Sequence, residues 1–69
     1  MIDLDKAVQF ADFEGRAAVV IEEPDGSLSG WVLGKFSNEW KSISPVEITI
    51  SARPLSREDF FEIFGKDLP

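Results

Sequence analysis

A chain of 69 residues with thirteen acids, seven bases and no histidine, cysteine or tyrosine excludes a good deal before any pattern in it is read. It makes one compact domain over residues 1–69, short enough to bury only about 60% of its unfolded surface, and the missing side chains exclude disulfides, thiolate nucleophiles, zinc sites built on sulfur and the usual serine triad. Its net charge of −6 repels nucleic acid and anionic membranes and favours a protein partner with a basic surface.

The opening residues Met1-Ile2-Asp3-Leu4-Asp5 are acidic where a secretion signal is basic. No apolar run approaches the roughly 20 residues that a bilayer requires, so the expectation is a soluble, cytoplasmic protein. Leu4, Ala7, Val8 and Ala11 recur at helical spacing, which predicts a helix from about Asp3 to Asp12 that Gly15 stops. Phe13 falls in the turn after it, its ring folding back onto the core.

From Ala17 to Phe36 two strand-forming runs flank Glu23-Pro24-Asp25-Gly26-Ser27. Pro24 presets the first central position of a type I turn, Asp25 suits the second, and Gly26 supplies the positive φ of a three-residue hairpin loop with a bulge. Glu23 then stands opposite Ser27, Ile21 opposite Ser29, Val19 opposite Trp31 and Ala17 opposite Leu33, and this side of the pleat is expected to be the core. The other side, from Ala18 and Val20 to Val32 and Phe36, is expected to be partly open to solvent.

After the polar connection Ser37–Ser42, with Trp40 in its middle, Val46, Ile48 and Ile50 alternate with Glu47, Thr49 and Ser51. Strict alternation predicts a half-buried strand over 45–51. Leu55, an N-cap at Ser56, Asp59 three residues on and Phe60 at the staple position predict a helix from about Arg57 to Phe64, closed by Gly65. The expected fold is therefore α+β, in the order α-β-β-β-α, a three-stranded antiparallel meander with both helices on one face. That order is shared with double-stranded-RNA-binding domains, but Ser56-Arg57-Glu58-Asp59 opens the second helix with two acids where those domains present bases to phosphate.

No motif specifies a reaction. The acids sit in helix-start and turn contexts that explain them without catalysis, so no catalytic residue, cofactor or metal is expected and the chain is read as not an enzyme. Glu22-Glu23-Pro24-Asp25-Gly26 lacks the alternating acids and closing glutamate of a calcium loop. Gly30 and Gly34 have GxxxG spacing but lie on a strand, outside any apolar helix.

Charge and aromatic content point instead to binding. Seven acids stand against two bases through Asp25, a balance of −5, followed by +1 from Gly26 to Arg53 and −2 thereafter. Two tryptophans and six phenylalanines are more ring than so small a core hides easily. The candidate partner-binding residues are Glu22, Glu23, Asp25, Asp12 and Glu14 for steering, with Trp40 and Phe61 as aromatic anchors. Trp40 has two readings, a lid on the core or an interface anchor.

In size, charge and layout, though in no shared motif, the chain is similar to small acidic phage-type inhibitors, including some anti-CRISPR proteins, which occupy basic nucleic-acid-binding clefts. That likeness implies an inhibitor or adaptor that contacts protein rather than nucleic acid. The alternative is a self-associating structural or accessory protein, a homodimer closed through the exposed sheet face or the Trp40 region.

Overall fold

The computed structural model describes residues 2–69; Met1, part of the acidic opening discussed above, lies outside them. A short 3-10 turn at Leu4–Lys6, started by Asp3 accepting from the N–H of Asp5, leads into β1 (Ala7–Phe13). There follow β2 (Arg16–Glu22), β3 (Leu28–Leu33), β4 (Trp40–Ile43), α1 (Pro45–Ser51), β5 (Arg53–Leu55) and α2 (Arg57–Phe64). The strands form one five-stranded sheet in the order β4-β3-β2-β1-β5, every neighbouring pair antiparallel. Among the described residues no helix is long and apolar enough to cross a membrane.

The central hairpin has the expected register. Val19 pairs with Trp31 and Ile21 with Ser29. Glu23 and Ser27 close the loop through Glu23 N–H to Ser27 O (2.8 Å) and Gly26 N–H to Glu23 O (2.9 Å), with Gly26 at φ 88°. α2 also forms where expected: the N–H of Asp59 donates to Ser56 Oγ, and Phe60 and Phe64 are buried.

Four elements differ from the sequence expectation, and the expected three-stranded meander is a five-stranded sheet: β4 and β5 form where no strand was expected, and β1 and α1 take the opposite secondary structure to the one expected. Residues Ala7–Phe13 are a strand, not a helix. β1 lies between β2 and β5 and has apolar residues on both faces, so its hydrophobic pattern does not alternate and happens to coincide with helical spacing. Glu14 (φ 53°) and Gly15 (φ 83°) supply the two positive-φ positions of a tight turn into β2, and Asp12 Oδ1 accepts the N–H of Gly15 at 2.7 Å. A register shift between Ala7 and Gln9 leaves Val8 exposed as a bulge.

Conversely, 45–51 is a helix, not a strand. β4 and β5 lie at opposite edges of the sheet, so the chain between them must cross four strand spacings, roughly 19 Å, over one face. Only a helix satisfies its own backbone hydrogen bonds on such a path. Pro45 at the first helical turn starts it, and Thr49 Oγ1 donates back to Pro45 O. The β-branched alternation is overridden, and of the three residues expected in the core only Ile48 is buried, while Val46 and Ile50 face solvent.

The helices consequently take opposite faces, where both were expected on one. α2 covers Phe10, Ala17, Val19, Ile21 and Leu33, with Trp31, Trp40, Leu55 and Phe61 packed around them. α1 covers Ala11, Ala18, Val20 and Val32 through Ile48, and this is the side that was expected to be partly open. Gly30 makes the approach feasible, since a Cβ there would collide with the carbonyl of Ile43 and stand 3.0 Å from Ile48 Cδ1.

Candidate functional site: an acid-rimmed tryptophan groove

The α2 face is incompletely covered toward β4. α2 packs over β1 and β2, leaving the rings of Trp31 on β3 and Trp40 on β4 half-buried beside it. The pairs Trp31–Ser42 and Leu33–Trp40 bring both tryptophans to the same side of the pleat. With Ile2 and Pro69 they line an open groove of about 360 Å³, rimmed by Asn38 and Glu39. Trp31 and Ile2 also line a second hollow beside it, whose walls carry Asp3, Lys6 and Glu23. The two hollows share an apolar floor and have three acids against one base on their walls.

The floor and the rim are joined by hydrogen bonds. Trp31 Nε1–H donates to Ser29 Oγ at 3.1 Å, and Ser29 Oγ–H donates to Glu23 Oε1 at 2.7 Å. Ser29 and Trp31 are two apart on β3 and share a face, and the bulged hairpin loop sets Glu23 next to them. The chain fixes the indole plane and holds a carboxylate at its edge.

The candidate residues named from sequence do not all gather here. Of the hairpin acids, Glu23 belongs to the groove. Glu22 pairs with Leu28 and by alternation lies on the α1 side, while Asp25 is held in the turn by the hydroxyl and N–H of Ser27, at 2.6 and 2.9 Å. Those two bonds, the hydroxyl's foremost, hold the Asp25 carboxyl below its usual value.

Asp12 and Glu14 stand at the other end of β2, roughly 20 Å away for a seven-residue strand. There Asp12 pairs with Arg53 at 3.4 Å and Glu14 with Arg16 at 4.0 Å. Phe61 sits over β1, edge-on to Phe60 (5.2 Å) and 5.9 Å from Phe10, with the Arg57 guanidinium 5.1 Å above its ring. It lines neither hollow of the tryptophan groove. Trp40 opens β4 instead of lying in an irregular connection, and it both packs against the core and lines the groove.

Asp3, Glu39 and Trp31 were missed as binding residues. Trp31 has core spacing on its strand, and nothing in the sequence reveals that α2 stops short of it. Phe36, in the β3–β4 turn, is 93% exposed with the Lys35 ammonium 5.5 Å from its ring. Among the described residues no three histidine, cysteine, aspartate or glutamate side chains gather closely enough to hold a metal ion. No protein-family model, curated protein or solved structure matches the chain.

Proposed function

We propose that this chain is a non-catalytic protein-binding module that engages a basic surface of a partner protein, using acids to steer the approach and the Trp31–Trp40 groove to anchor it. An inhibitor or adaptor that occupies the partner's nucleic-acid-binding surface is the form of this function that the charge suits best. The observation supporting the reading is the Glu23–Ser29–Trp31 chain, which sets a carboxylate at the edge of a half-buried indole, a pairing that receives a cationic side chain by charge and by ring face together. Affinity capture from the native host, comparing the wild-type protein with a Glu23→Lys, Glu39→Lys variant whose retained fold is checked by a cooperative unfolding transition, tests it. Loss of a basic partner from the variant bait is expected, and identical partner sets sink the electrostatic reading.

A second reading, self-association as a homodimer, is favoured by one observation. Val46 and Ile50, one helical turn apart on α1, are 65% and 73% exposed. Burying them against a second copy would cover that apolar stripe. Sedimentation separates the two: a monomer at high protein concentration argues against the homodimer.

A further inference from the structure

The two edges of the sheet are not alike. β5 is three residues long and carries Pro54, which removes a donor, so that edge is poorly suited to pairing. β4 has no such block. Gly34 N–H donates to Glu39 O at 2.8 Å, closing the β3–β4 turn with a hydrogen-bonded pair. Alternation along the antiparallel ladder then makes Leu33–Trp40 and Trp31–Ser42 the pairs without mutual hydrogen bonds. The backbone N–H and C=O groups of Trp40 and Ser42 therefore point away from β3, toward the open edge, while their side chains lie on the groove side.

Resting on the basic-partner reading above, the geometry points to a specific occupant: an extended segment of the partner that adds to the sheet as a sixth strand beside β4, with arginine or lysine at alternate positions facing the groove. Strand addition supplies main-chain hydrogen bonds, and the period of two directs every second side chain to one face. On the groove face those side chains meet the indole of Trp40, beside hollows lined by Glu39, Glu23 and Asp3. The intervening side chains fall beside Lys41, on the α1 face, where a neutral or acidic residue fits. A second copy fits this edge less well, because its β4 would present the uncharged side chains of Trp40 and Ser42, not cations, on the face where the groove is lined by Glu39, Glu23 and Asp3.

The test is amide hydrogen exchange and chemical-shift mapping by NMR on the full chain, with two probes: a blocked peptide alternating arginine with threonine, and its counterpart with glutamate replacing arginine. The arginine peptide is expected to slow exchange at the amides of Trp40 and Ser42 and to shift both indole N–H signals. The glutamate peptide is expected to do neither. Ser42→Pro, which removes an outward N–H and leaves the β3 ladder intact, is expected to weaken the arginine peptide about tenfold with the α1 methyl signals unchanged. Binding that shifts Glu23 and the tryptophan indoles without slowing the Ser42 amide overturns the strand addition and leaves the basic-partner reading standing. Failure of the arginine peptide to bind at millimolar concentration overturns both. Slowed exchange at Trp40 and Ser42 on raising protein concentration alone assigns the edge to a second copy and overturns the inference.

Discussion

The indole of Trp31 and the carboxylate of Glu23 are joined through one hydroxyl, that of Ser29, which accepts from the first at 3.1 Å and donates to the second at 2.7 Å. Ser29→Ala removes both bonds at a partly buried site. A loss of about 0.5–1.5 kcal/mol is expected, seen as a fall in thermal midpoint of a few degrees together with a shift of the Trp31 indole N–H signal. An unmoved indole signal contradicts the chain.

Gly30 tests how closely α1 crosses the sheet. Gly30→Ala puts a methyl group against the carbonyl of Ile43 and the nitrogen of Pro45, backbone atoms that cannot swing aside. A cost of about 1–3 kcal/mol is expected from overpacking, measured by denaturant unfolding. A neutral result contradicts the crossing geometry.

Within α1 the helix and the strand make opposite forecasts. Ile48→Ala removes a fully buried side chain and is expected to cost about 2–5 kcal/mol, whereas Ile50→Ala, on the solvent side, is expected to stay within about 0.5 kcal/mol. Equal and large losses at both positions would restore the strand.

These contrasts mark what is legible in the sequence. The β2–β3 hairpin and α2 are, because turn and cap chemistry there is local: Pro24, Asp25 and Gly26 dictate the loop, and Ser56 the helix start. β1 and α1 are not, because what decides them is remote. β1 is a strand because β2 and β5 flank it, and α1 is a helix because β4 and β5 end on opposite edges. The same holds for the candidate site. Glu23 and Trp40 are recognisable as an acid and an aromatic in polar surroundings, but their meeting through Trp31 depends on the face that α2 takes and on where it stops. Asp12 and Glu14, grouped with the hairpin acids by sequence proximity, are carried to the far end by β2.

The Asp25 turn carries a pH dependence of definite sign. Its carboxyl, held below the usual value of 3.8 by the Ser27 hydroxyl and then the Ser27 N–H, contributes stability that is present above the unfolded-state value. That contribution is lost as pH falls through the lower folded-state value. The Ser27 amide signal is expected to titrate with a midpoint below 3.8 and to stop titrating in Asp25→Asn. A midpoint at or above 3.8 contradicts the turn geometry.

Trp40 bears on both stability and binding, since it packs on the core and lines the groove. Being half-buried, its change to alanine is expected to cost less than the about 3–5 kcal/mol of a fully buried tryptophan. Calorimetric unfolding reads this directly, and a loss in the full range would make it chiefly a core lid.

The claim that acids steer and tryptophans anchor is tested most directly by titrating the protein with the arginine–threonine peptide at low and high salt while following the indole N–H signals of Trp31 and Trp40. Both signals are expected to move on binding, and affinity to fall as ionic strength rises through screening of Asp3, Glu23 and Glu39. Two static indoles in the presence of bound peptide, or an affinity indifferent to salt, would contradict the account.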